Sequence, residues 1–171
     1  MPLIALLAWL AVPSPGAAAD TYLGAVVDSA GDLMIQRVKG PAIVVRKDTA
    51  QVAFDKIAIS RGGGSVGWLA MYTNCCTSYP IPLKLMVYSR GRVKTFEGRS
   101  LPIWRWQFTD DGRQVAFEQE TVHGGIGVHY ELREVATGRL IAQYDPPAEP
   151  DSLPRVSQDI PAWVVELDAA P

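Results

Sequence analysis

The sequence predicts an all-β chain of antiparallel, four-stranded meanders, and three observations predict it. Apolar and polar residues alternate with period two in one short run after another, the pattern of a strand with one buried face. Turn formers separate these runs, supplied by 15 Gly and 13 Pro, which is the punctuation of many short strands. No long segment carries the 3.6-residue period of an amphipathic helix. Charged residues make up 20% and the formal net charge is −2, so no global field draws the chain to nucleic acid or to an anionic membrane.

Residues 1–19 contain no charged side chain. An apolar run over residues 3–12 is too short to span a bilayer as a helix. Pro13, Pro15 and Gly16 break it, and Ala17, Ala18 and Ala19 give a small-residue processing site before Asp20. The segment reads as a cleaved secretory signal, which places the protein in the periplasm or outside the cell with no remaining membrane span. The missing Lys/Arg start is a departure from type, and a retained N-terminal anchor is the competing reading. Residues 20–145 read as a single β domain, and the chain left after removal of residues 1–19 is long enough to bury about two-thirds of its unfolded surface.

The first third reads as plain half-buried strands. Residues 22–28 and 32–38 flank Ser29, Ala30 and Gly31 as a hairpin, residues 42–46 follow Gly40 and Pro41, and residues 51–59 follow a turn at Lys47, Asp48 and Thr49. Gly62, Gly63 and Gly64 form a hairpin turn rather than a phosphate loop, because no Lys-Ser/Thr follows them.

Residues 102–145 hold the clearest meander. Trp104, Trp106 and Phe108 alternate with Arg105 and Gln107, which places the three rings on one face. Asp110, Asp111 and Gly112 supply the turn, since Asp caps its own backbone and Gly takes positive φ. Val115 and Phe117 continue the apolar face, with Glu118 and Glu120 opposite. Val128, Tyr130 and Leu132 form the third set, Ala136, Thr137 and Gly138 the next turn, and residues 139–144 the fourth strand. Pro146 and Pro147 end it. A weaker copy lies upstream near residues 55–98. There Val66, Gly67 and Trp68 align with Val115, Ala116 and Phe117, about fifty residues downstream.

The runs FTDDGRQVAF from Phe108 and YELREVATGR from Tyr130 resemble one blade of a TolB-type β-propeller. The resemblance covers about a quarter of the chain. It implies a scaffold or interaction surface, since blades of this family carry no catalytic residues in the repeat. A closed propeller needs at least four blades, and this length supplies about three, so the expectation is an incomplete propeller or a two-sheet sandwich. Residues 146–171 form a Pro-rich tail with a short closing element. Either a helix starts there, with Asp159 as cap and Pro161 in the first turn, or residues 163–167 add an edge strand.

Three places carry chemistry. The connection over residues 73–82 interrupts the upstream copy and holds the chain's two cysteines, Cys75 and Cys76, between Tyr72 and Tyr79. After export the thiols either close a vicinal disulfide or stay reduced. With Trp104 and Trp106, these residues are the expected contacts for a protein or small-molecule partner. Second, a four-residue turn over residues 123–126 would set Phe117 opposite Leu132, Glu120 opposite His129 and Glu118 opposite Glu131. Facing carboxylates need compensation, either by a divalent cation held by Glu118, Glu120, His129 and Glu131 or by Arg113 and Arg133. Third, Arg90, Arg92, Lys94 and Arg99 form a modest basic patch. The leading expectation is a non-catalytic exported binding module with no cofactor. The alternatives are a metal-binding protein or metal-dependent hydrolase on the Glu/His face, and a structural domain closed by homo-oligomerisation.

Overall fold

A computed structural model describes residues 20–99, 101–123, 127–147 and 159–170. The expected export signal over residues 1–19 and the stretch of the tail over residues 148–158 lie outside the described residues. Three antiparallel sheets follow one another along the chain. The first contains β1 (Tyr22–Val27), β2 (Leu33–Arg37) and β3 (Ile43–Val45). The second runs β4 (Gln51–Ile59), β5 (Ser65–Tyr72), β6 (Ile81–Ser89) and β7 (Arg92–Glu97). The third runs β8 (Ile103–Thr109), β9 (Gln114–Gln119), β10 (His129–Glu134) and β11 (Leu140–Tyr144). One helix, α1 (Ala162–Asp168), follows. In each sheet consecutive strands are neighbours, so every sheet is a meander, and among the described residues the sheets do not close into a barrel or propeller.

Turn chemistry explains the strand ends. Asp28 Oδ1 accepts from the backbone of Ala30 at 2.9 Å and of Asp32 at 3.0 Å, which folds the chain back between β1 and β2. Between β8 and β9, Asp110, Asp111 and Gly112 all take left-handed φ, at 49°, 53° and 85°. Gly112 has no alternative there, because a Cβ would sit 2.4 Å from Ser60 Cβ.

The sheets stack face to face. Leu33 and Ile35 of the first sheet pack on Val66 and Trp68 of β5. The opposite face of the second sheet, with Leu69, Leu85, Val87 and Phe96, packs on Ile103, Trp106, Val115 and Phe117 of the third. The far face of the third sheet, with Ala116, Tyr130 and Leu132, is covered by Val164 and Leu167 of α1. The middle sheet is therefore covered on both faces, and seven of the eight residues of β5 are buried instead of every second one.

Two expectations need correction. Trp104 does not share a face with Trp106 and Phe108. A register shift between Ile103 and Arg105 puts Ile103 in the core instead, fully buried, while Trp104 is half-buried. Asp159 does not cap α1. Pro161 occupies the N-cap with no side-chain bond, its carbonyl accepts from Val164 and Val165, and Asp159 is exposed. Among the described residues, no helix is long and apolar enough to cross a membrane.

Candidate functional site

The register between β9 and β10 decides what the Glu/His cluster can be. Tyr130 opposes Glu118, Glu131 opposes Phe117 and Leu132 opposes Ala116. This is one residue away from the pairing that matches Phe117 with Leu132. The chain links β9 to β10 by residues 120–128 instead of a tight four-residue turn, and both faces of this sheet are covered. Apolar matching therefore fixes register less strictly than it does on a half-exposed sheet. The expected four-residue set is split. Glu118 points to the helix side, while His129 and Glu131 point to the middle sheet. Glu120, half-buried, lies beyond β9, where its carbonyl accepts from Trp104 Nε1 at 3.0 Å. Among the described residues no group of three or more His, Cys, Asp or Glu is arranged to hold a metal ion.

Each separated carboxylate has its own cationic partners. Glu131 is fully buried. Its Oε2 accepts from Arg133 Nε at 2.5 Å, and its Oε1 lies 3.1 Å from His129 Nε2 and 3.5 Å from Arg99 Nε. Arg99 follows β7, so this contact ties the second sheet to the third; its Nη2 also donates to Gln143 at 2.6 Å. Burial pushes the Glu131 carboxyl up, but the bonds from Arg133 and His129 outweigh it and hold it below the usual range. His129 Nδ1 faces Asp145 Oδ1 at 2.5 Å, so the ring donates to both carboxylates only in its doubly protonated form.

On the helix side, Arg105 Nε donates to Glu118, and Arg105 Nη2 lies 3.1 Å from Asp168 of α1. Tyr130 donates its hydroxyl to the same Asp168 carboxylate at 3.3 Å. Burial raises the Glu118 carboxyl above its ordinary range, and Arg105 offsets only part of that rise. The neighbouring Tyr130 hydroxyl is pushed up to about 12 by burial first and then by Glu118 and Asp168. The two networks fasten the third sheet to its neighbours on both sides. Of the two arginines weighed from sequence, Arg133 does compensate the buried glutamate, whereas Arg113 pairs with Asp110. Sequence reasoning missed Arg99, Arg105, Asp145 and Asp168 as partners, and no spacing signals them.

The predicted partner-binding residues divide in the same way. Tyr72 is buried, and its hydroxyl donates to Asp48 at 2.7 Å, so it anchors the fold instead of facing a partner. Trp106 is buried in the core and donates its indole N–H to Lys56 O at 3.1 Å. Neither is available as a contact, because each spends its polar atom on an internal acceptor. Tyr79 is 50% exposed, and Cys75 and Cys76 are exposed free thiols. Cys75 Sγ donates to Asn74 Oδ1 at 3.6 Å, and its contact with Cys76 raises the Cys76 thiol above its ordinary value. Thr77 Oγ1 donates to Tyr79 O at 2.6 Å and closes the loop on itself. The loop and Trp104 lie at the same end of their sheets, opposite the β6–β7 and β8–β9 turns.

No family model and no curated protein matches this chain. Among solved structures, a chain of Kuenenia stuttgartiensis hydrazine synthase is similar at 18% identity with a TM-score of 0.45. The likeness covers 74% of this chain and 34% of that one, so the chain spans about a third of the length of the protein it matches.

Proposed function

We propose that the chain is an exported, non-catalytic binding module that presents the loop over residues 73–80 to a protein or small-molecule partner. The placement of this loop carries the reading. Thr73, Cys75, Cys76, Ser78, Tyr79 and Pro80 are exposed, while the residues flanking them, Tyr72 and Ile81, are buried. An eight-residue loop is thus held between two strands of the middle sheet, which is how binding loops are mounted on rigid scaffolds. Tyr79 offers a large, half-exposed ring of the kind that anchors interfaces. Export is supported by the uncharged, apolar opening of the sequence and its small-residue site, and the scaffold role by the likeness of the meanders to TolB-type blades.

Tyr79→Ala bait should lose whatever the wild-type protein retains from an exported fraction, while the exposed control Val165→Ala keeps it. Identical retention by Tyr79→Ala and wild type would remove the loop from the proposal. A second reading, a structural domain closed by homo-oligomerisation, is favoured by the outer face of the first sheet, where Leu23, Val26 and Val44 are exposed. Light scattering should then show a mass rising with concentration; a monomer at all concentrations removes this reading.

A further inference from the structure

A cleft of about 880 Å³ lies at the end of the sheets remote from the exposed loop, a size suited to a small ligand. Val87 and Val135 form its apolar floor, and Arg90, Arg92, Lys94 and Arg113 stand on its walls. Three of the seven lining charges are already matched. Asp20 faces Arg37 at 3.8 Å, Glu134 faces Arg139 at 3.6 Å, and Arg113 pairs with Asp110. Among the described residues Arg90 and Arg92 make no ion pair, and Lys94 donates to a carbonyl, Thr137 O, at 3.1 Å. Asp111 also lines the cleft and makes no ion pair among the described residues.

The turn that carries the two arginines is unusual for its sequence. Ser89 pairs with Arg92, and the two central residues, Arg90 and Gly91, take φ of 51° and 76°. That two-residue hairpin geometry prefers Asn followed by Gly. Arg in the first position is held in a region that its side chain disfavours, which points to a use for the guanidinium.

We propose that this cleft binds a small organic oxyanion, a carboxylate or phosphate ester, with its charged group on Arg90 and Arg92 and its apolar part over Val87 and Val135. Guanidinium groups match such oxyanions with two parallel N–H donors each. The site is independent of the loop over residues 73–80, so either can fail alone.

The test is a titration of the isotope-labelled protein with phenyl phosphate and, separately, benzoate at constant ionic strength, following backbone amides of residues 89–93, with sodium chloride as control. Saturable shifts are expected from at least one probe, and the one that saturates identifies the oxyanion. Arg92→Gln should weaken binding about tenfold, the loss of one charge-assisted bond, without changing the melting temperature. Arg90→Asn should weaken binding about tenfold while raising the melting temperature, because Asn suits the left-handed position. Linear, chloride-like responses to both probes, or both variants titrating like wild type, would overturn the proposal.

Discussion

Replacing Glu131 by Ala is expected to cost about 3–5 kcal/mol of stability, the range for breaking a buried ion pair by removing one partner. The side chain is fully buried, and its loss takes a carboxylate partner from three groups at once: Arg133, His129 and Arg99 across the sheet boundary. Glu118→Gln on the other face should cost far less. Arg105 is 39% exposed and keeps Asp168 at 3.1 Å, and burial already disfavours the Glu118 charge. The pH dependence separates the two. The folded-state value of Glu131 is depressed, so its contribution is present above the unfolded value of about 4.3 and is lost as pH falls through the folded one. The gap between wild type and Glu131→Gln should therefore narrow in acid. The folded-state value of Glu118 is raised, so its contribution is present in acid and is lost as pH rises through it. Denaturant melts of both variants across this window decide the matter. Equal costs for Glu118→Gln and Glu131→Gln at neutral pH would contradict the assignment.

Trp106→Ala should cost about 3–5 kcal/mol, and Gly67→Ala about 1–3 kcal/mol, for one shared reason. Gly67 of β5 is where the six-membered ring of the Trp106 indole meets the middle sheet, and a Cβ there would sit 2.3 Å from Trp106 Cη2. The ring cannot retreat: its N–H is bonded to Lys56 O at 3.1 Å, and Phe108 packs edge-on at 5.1 Å between centroids. The cycle makes the claim specific. In a Trp106→Ala background the methyl of Gly67→Ala has room, so its penalty should vanish and the double variant should be about as stable as Trp106→Ala alone. Strict additivity would show that Gly67 matters for a reason other than this ring. At this chain size each kcal/mol moves the melting temperature by about 2–4 °C, so both effects lie well above measurement error.

Much of the fold was legible because turns and alternation are local. The Asp110-Asp111-Gly112 turn and the TG turn at Gly138 each announce themselves within a few residues, whereas the closing element left a helix and an edge strand both open. What was not legible depends on distant partners. Tyr72 looks like a loop-edge aromatic until Asp48, from the connection between the first two sheets, takes its hydroxyl. Trp104 and Trp106 look equivalent until the register shift after Ile103 turns one out of the core. The Glu/His face depended on a register that alternation could not fix, because Glu131 is buried as deeply as Phe117 opposite it. Interruption of the meander did mark residues 73–80 as a connection, and Cys75, Cys76 and Tyr79 are exposed in it.

Burying the middle sheet on both sides also fixes how the molecule comes apart. Val66 and Trp68 belong to one core and Leu69 to the other, within a few residues of the same strand. Neither outer sheet can detach without exposing half of what holds β5 in place. Amide protons of β5 and β6 should therefore exchange only through global opening, and those of β3 and β11 through local fraying. A cut between the sheets would leave two fragments, each lacking a wall of its core, so the three sheets constitute one cooperative unit.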